Sequence, residues 1–247
     1  NKKDSSLRVA LDLVSSGDVD ACVSSGNTGA LMATAKFVLK MIPGISRPAI
    51  LTRMPTVSGG VTRVLDLGAN VDSSAEQLCQ FALMGSILAQ ASGGVESPRV
   101  GLLNIGEEEV KGSQQIKQAA SLIRSMESIN YIGFVEGNDW FSGRADVVVC
   151  DGLVGNIALK AVEGVSNLFA GYLVGSFKRN IFSQLSGLLA KPTLLNFKEK
   201  IDSRNFNGAT LAGVNGVVIK SHGAADAYAF KNALHEAMLE VEKNIPS

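Results

Sequence analysis

The chain has 247 residues, 46% of them hydrophobic and 6% aromatic, with 26 glycines. Its 23 basic side chains are balanced by 23 acidic ones, so the formal net charge is zero. The apolar fraction excludes disorder as the main state, the charge balance argues against nucleic-acid binding, and the lack of an unbroken apolar run of about 18 residues argues against a spanning helix.

In chain order, periodicity predicts a helix over 5–15, a strand over 21–24, a helix over 30–41 and strands over 49–52 and 63–67. A helix follows over 74–91, then a strand over 99–104, a helix over 112–126 and strands over 131–135 and 146–150. The chain closes with a helix over 156–173, a strand over 214–220 and a helix over 224–243. Ser73 and Glu76 have capping-box spacing before the third helix. Most strands are continuously apolar, as in sheets buried on both faces. The expected fold is a single α/β domain over 1–247, in three layers, with a mostly parallel sheet and helices on both faces.

Residues 177–204 differ from the rest. Phe177, Ile181, Phe182, Leu185, Leu188 and Leu189 fall on one helical stripe. The same segment carries Lys178, Arg179, Lys191, Lys198, Lys200 and Arg204 against only Glu199 and Asp202. Pro192 predicts two helices with a kink or break there. A basic amphipathic helical insertion is therefore expected over about 176–204. Its apolar stripe suits a core or dimer surface, or a membrane surface.

Cys22, Cys79 and Cys150 are odd in number and widely spaced, which reads as reduced thiols in a cytosolic protein. With no Cys-x-x-Cys and only His222 and His235 as histidines, no metal site is expected. The sequence starts at Asn1 without a signal-peptide pattern, which reads as a piece of a longer chain or a trimmed one.

Five strands end in polar, glycine-bearing turns: 24–29, 66–72, 104–109, 151–156 and 220–223. Carboxyl ends of parallel strands gather on one edge and bind ligands there, so these turns are expected to share a rim. Ser25, Gly26, Asn27 and Thr28 read as a phosphate cradle at a helix start or as a plain helix cap. Asp66 and Asp72 read as oxygen ligands for Mg²⁺, as a brace between turns, or as a helix-start charge. Glu107, Glu108 and Glu109 read as dipole partners, with Lys111 available as an ion-pair partner. Lys220 and His222 are the most reactive pair, a fixed cation beside a proton carrier. Ser221 is excluded as a nucleophile, because adjacent side chains in extended backbone point apart. The bland alternative is a capped turn with a buried histidine, and His235 reads as a surface or interface residue.

Taken in order, SSGNTGALM, RPAI, LDLGANVD, LLNIGEEEVKG, NYIGFVEGND, DVVVCDGLVGNIALKAVEG, FNGA and GVVIKSHGAAD resemble the phosphate acyltransferase family over nearly the whole chain. The resemblance implies a fold like isocitrate and isopropylmalate dehydrogenases, and a preceding strand and glycine-rich turn before Asn1. It implies transfer of a long-chain acyl group from acyl carrier protein to inorganic phosphate, giving acyl phosphate for phospholipid synthesis without a cofactor. It implies a homodimer in the cytoplasm, peripherally associated with the anionic inner face of a bacterial membrane, and a membrane glycerol-3-phosphate acyltransferase as consumer of the product.

On that resemblance Lys220 and His222 are expected to be catalytic. Ser25, Gly26, Asn27, Thr28, Asp66, Asn70, Asp72, Asn104, Glu107, Asp151 and Asn156 are expected to bind substrate. Lys178, Arg179, Phe182, Leu185, Leu189 and Lys191 are expected to meet the acidic carrier protein or the membrane. Two other readings stay open. One is a phosphotransacetylase acting on acyl-CoA; the other is a non-catalytic fragment keeping dimer and membrane surfaces. A decarboxylating dehydrogenase fits poorly, since Arg47, Arg53 and Arg63 read as scattered rather than as a carboxylate-binding cluster.

Overall fold

A computed structural model describes residues 4–245. Its elements in chain order are α1 (Ser6–Ser16), β1 (Ala21–Ser24), α2 (Thr28–Val38), β2 (Ala49–Pro55), β3 (Val61–Leu65), α3 (Ala75–Gly93), β4 (Arg99–Leu103) and α4 (Gln114–Arg124). They continue as β5 (Asn130–Val135), α5 (Asp139–Ser142), β6 (Val147–Val149), α6 (Gly152–Lys178), α7 (Ile181–Ile201), a 3-10 turn (Ser203–Phe206), β7 (Ala209–Ala212), β8 (Val217–Lys220) and α8 (Ala227–Glu242).

Local chemistry sets the helix ends. Ser5 caps α1 by accepting the Arg8 N–H at 3.3 Å, and Gly17 ends it with φ +77°. The capping box of α3 is one residue later than predicted: Ser74 and Gln77 satisfy each other's backbone N–H groups.

The eight strands form one sheet in the order β1-β8-β7-β2-β3-β6-β4-β5. Four neighbouring pairs are parallel, and three are antiparallel: β8 with β7, β7 with β2 and β2 with β3. The sheet is therefore mixed, though mostly parallel. The hydrophobic period does not register β7, four residues set between Gly208 and Gly213.

Alternate strand residues feed two cores, as the pleat requires. Leu65, Val147, Val149 and Leu102 pack under α3 and α4, while Val217 and Ile219 pack under α8. Val64, Val148, Val218 and Leu211 face Leu11 of α1 and Leu31 and Ala35 of α2 on the opposite side. The three layers expected from sequence are present.

The α8 side carries a polar seam. Arg53 and Arg63 are opposite each other on β2 and β3, not scattered; Arg63 is buried and Arg53 half-buried. Arg53 pairs with Glu236 of α8 at 2.6 Å, and Thr210 hydrogen-bonds Glu240 one turn further along.

Helices α6 and α7 form a projecting antiparallel hairpin. Only Gly152 and Gly155 of α6 are buried, and no residue of α7 is. The break lies at Arg179–Asn180, where Asn180 caps α7, and not at Pro192, through which α7 continues. The proline lacks one N–H, and on an exposed helix water can satisfy the carbonyl it leaves unpaired. By length and composition α6 meets the requirement for a membrane-crossing helix, contrary to the sequence expectation, because its three charges (Lys160, Glu163 and Lys178) and several glycines interrupt the apolar run without outweighing it.

Candidate functional site

Strand direction divides the expected rim in two. β1, β8 and β2 run one way, and β3, β6, β4 and β5 run the other. The turns after β1 and β8 therefore lie on one edge of the sheet, and those after β3, β4 and β6 on the opposite edge. The single rim is corrected: the antiparallel steps through β7 and between β2 and β3 reverse the sheet's direction, and no strand's own sequence encodes them.

On the first edge the two turns touch. The Ser221 N–H donates to the Ser24 carbonyl at 2.9 Å, and Gly223 lies close to the carbonyl of Ser25. Ser25, Gly26 and Asn27 are exposed, and Thr28 is half-buried at the start of α2. Asn27 caps α2 by accepting the Ala30 N–H at 3.0 Å, and Gly26 N–H donates to Ser24 Oγ at 3.2 Å. The cap and the anion-attracting helix start coexist here, since a cap uses few of the first N–H groups.

Lys220 ends β8 half-buried, and its ammonium donates to the Ser221 carbonyl. Burial and the nearby Lys160 of α6 hold its pKa below the usual lysine value. Lys160 itself is ion-paired with Glu163 at 2.7 Å. His222 is exposed, not buried as the bland reading had it, and its Nδ1 accepts the Ala224 N–H at 3.2 Å. Asn207 braces the turn: its Oδ1 accepts the His222 N–H at 2.9 Å, and its Nδ2 donates to Ser221 Oγ at 2.9 Å and to the Ala229 carbonyl at 2.7 Å. Lys160 and Asn207 carried no assigned role from sequence, although both lie within quoted motifs.

The second edge is organised around Asp66. Its carboxylate is fully buried and accepts N–H groups from Ile50 at 3.0 Å, Ala69 at 3.1 Å and Asn70 at 2.7 Å, with the Asn70 amide at 2.8 Å. Burial pushes its pKa up, and those bonds oppose the rise. Asp66 and Asn70 are sealed from solvent, so they brace the turn and cannot touch substrate in this conformation. Asp151 caps α6 through Leu153 N–H at 2.9 Å and takes the Ser73 N–H at 2.8 Å, joining the turns after β3 and β6. Gly152 and Gly155 press on this loop; a Cβ on either would strike the carbonyl of Asn70 or Asp66.

Asp72 and Asn156 are exposed on this edge, and Asn156 covers Gly68. Asn104 clamps its own loop, donating to the Gly106 carbonyl at 3.1 Å and the Lys111 carbonyl at 3.3 Å. Glu107, Glu108 and Glu109 pair with Arg144, Lys111 and Arg124 respectively. Cys22 and Cys150 are buried free thiols whose pKa burial raises, and Cys79 is a half-buried free thiol. Among the described residues no group of three or more His, Cys, Asp and Glu is gathered in metal-binding fashion. Two surface hollows, one by Tyr172 and Arg179 on the hairpin and one by Lys117 and Arg124, include neither Lys220 nor His222.

The segment 176–204 expected to meet partners lies on the hairpin. Phe182, Leu185 and Leu189 are exposed in the first turns of α7, with Lys178 and Arg179 at the bend and Lys191 further along.

A family profile described as "Fatty acid synthesis protein" matches residues 1–247. The phosphate acyltransferase of Alkalilimnicola ehrlichii is 57% identical over 245 residues, covering 99% of this chain and 71% of that protein. That of Hydrogenovibrio crunogenus is 56% identical over 246 residues, covering 100% of this chain and 73% of that protein. Among solved structures, a phosphotransacetylase from Streptococcus pyogenes superposes with TM-score 0.62 at 19% identity, over 94% of this chain and 66% of that one. A branched-chain phosphotransacylase from Enterococcus faecalis gives 0.61 at 15% identity, over 96% of this chain and 80% of that one. These two likenesses concern the fold; the end-to-end profile and the relatives above 50% identity carry the family, and the chain belongs to the phosphate acyltransferases of fatty acid synthesis.

Proposed function

We propose that this protein moves a long-chain acyl group from acyl carrier protein to inorganic phosphate, producing acyl phosphate for phospholipid synthesis. The observation that carries the reading is the contact between the Lys220–His222 turn and the exposed turn that opens α2. Two backbone turns meet beside a helix start and a half-buried ammonium, a set of groups that suits a bound anion.

The reaction requires no protein nucleophile. A phosphate oxygen attacks the thioester carbonyl, and the protein aligns the two and stabilises the negative charge that gathers on the carbonyl oxygen. Ser25, Gly26, Asn27 and Thr28 cradle the phosphate or the pantetheine arm. Lys220 and His222 stabilise the developing charge. Asp66, Asn70 and Asp151 act indirectly, by holding the second edge rigid at the base of α6. Asp72, Asn104, Glu107 and Asn156 stand on that second edge, and a role for them in substrate contact requires the carrier protein or the pantetheine arm to reach across the α6 face.

The hairpin supplies the partner surfaces of this reading. Lys178, Arg179 and Lys191 attract the acidic carrier protein or anionic headgroups, while Phe182, Leu185 and Leu189 enter the lipid surface. A homodimer at the inner face of the membrane would release acyl phosphate beside a glycerol-3-phosphate acyltransferase, limiting its hydrolysis.

Phosphate-dependent loss of palmitoyl-carrier thioester tests the proposal. Lys220→Ala and His222→Ala in the full-length protein are expected to lower turnover about 10²-fold each. Near-normal turnover in the folded double variant removes both from the mechanism. Faster reaction with acetyl-CoA than with palmitoyl carrier protein turns the reading toward a phosphotransacetylase.

A further inference from the structure

The FNGA segment of the sequence has no part in the mechanism above, yet Asn207 within it touches three pieces of the candidate site. Its Oδ1 accepts the backbone N–H of His222, and its Nδ2 divides between Ser221 Oγ and the Ala229 carbonyl in the first turn of α8. Ser221 is fully buried. Every hydrogen-bonding direction of the side chain except one carbonyl lone pair is thereby used, and the end of β8, the 221–223 turn and α8 are held in one arrangement. The next residue tightens the same joint: Gly208 has φ +113° and lies so near Ala233 Cα that a Cβ would crowd it at 2.9 Å.

The ring of His222 is constrained as well. Its Nδ1 accepts the Ala224 N–H. A ring nitrogen that accepts a hydrogen bond carries no proton, so the ring's N–H is on Nε2. The atom left for a ligand is a donor.

We infer that Asn207 is a positioning residue that fixes the backbone carrying His222, and that His222 Nε2–H donates a hydrogen bond to an anionic oxygen of the phosphate or of the tetrahedral intermediate. The inference rests on the acyl-to-phosphate reading and assigns the histidine a donor's role in place of proton transfer. The balance supports this. Hydrogen phosphate dianion attacks the carbonyl carbon, the C–S bond breaks, and acyl phosphate monoanion and pantetheine thiolate leave with the same total charge. The thiolate takes its proton from water, and none needs to pass through His222.

The test compares kcat and phosphate KM for His222→Ala, His222→Gln, Asn207→Ala, Asn207→Asp and the His222→Ala/Asn207→Ala pair, in the full-length protein with palmitoyl carrier protein and phosphate. Glutamine presents an amide N–H near the position of Nε2 but cannot transfer a proton. His222→Gln is expected to stay within about 10-fold of wild type while His222→Ala falls about 10²-fold. Asn207→Ala is expected to lower kcat about 10-fold or more with little change in KM, and to add nothing in the His222→Ala background. Asn207→Asp keeps the acceptor for the His222 N–H, is expected to fall between alanine and wild type, and serves in the same cycle if the alanine variant does not fold. Glutamine as inactive as alanine overturns the donor assignment. An Asn207 loss that adds in full to that of His222→Ala, or no loss in either Asn207 variant, overturns the positioning role. Wild-type turnover in His222→Ala overturns the donor role and leaves the acyl-to-phosphate reading standing, whereas no acyl phosphate from the wild type removes that reading and this inference with it.

Discussion

Asp66 and Glu240 are both buried carboxylates, and their surroundings separate them. Asp66 keeps four hydrogen bonds that favour its charged form. Glu240 has Thr210 as its hydrogen-bond partner, the like charge of Glu236 beside it and Arg53 as the nearby cation; burial pushes its pKa to about 7 from an ordinary 4.5. The folded state thus binds the proton more tightly than the unfolded chain. The stability linked to Glu240 is fully present below pH 4.5 and is lost as pH rises through about 7. The loss amounts to about 3 kcal/mol at most. Glu240→Gln, which mimics the protonated form, should match wild type in urea midpoint at pH 5 and exceed it at pH 8. Equal midpoints at both values would show that Glu240 stays ionised in the fold. At this scale the sequence was legible in residue type only. Aspartate at a strand end was visible; that Asp66 faces inward onto backbone amides, while Asp72 six residues on faces water, depends on neighbours brought from Ile50 and Gly152.

Among the elements, the α6–α7 hairpin departs most from ordinary packing. Phe182, Leu185, Leu188 and Leu189 are between 56% and 84% exposed, and they contribute nothing to either core. Replacing Phe182, Leu185 and Leu189 together with Asp should therefore leave the thermal midpoint of the protein nearly unchanged while abolishing co-flotation with anionic liposomes. Retained flotation by the folded variant eliminates the membrane proposal. The amphipathic stripe was readable from spacing, because helical periodicity is local. The position of the bend was not: Pro192 is the stronger breaker by propensity, but Asn180 caps the second helix and a solvent-facing proline costs the helix only one hydrogen bond.

For the whole molecule, the same hairpin presents a second apolar stripe. Val165, Phe169 and Tyr172 of α6 are exposed at i, i+4 and i+7, and Gly171 and Gly175 leave room beside them for another helix. Sedimentation equilibrium should give twice the chain mass for the wild type. Val165→Asp with Phe169→Asp should give the monomer mass with the far-UV spectrum retained. A wild type that sediments as a monomer at micromolar concentration refutes the dimer.

The sequence by itself determined most element types and the three-layer α/β class, because hydrophobic period, caps and glycine turns are written within short stretches of chain; its ordered motifs determined the family. It also located Lys220, His222 and the turn at Gly26, residues that share an edge because β1 and β8 are parallel neighbours. Tertiary structure alone decided which turns meet. The antiparallel steps through β7 and between β2 and β3 reverse the sheet midway, sending the Asp66, Asn104 and Asp151 turns to the far edge. Strand direction is a relation between segments distant in sequence, set by how loops close and which faces bury, so no single segment can carry it.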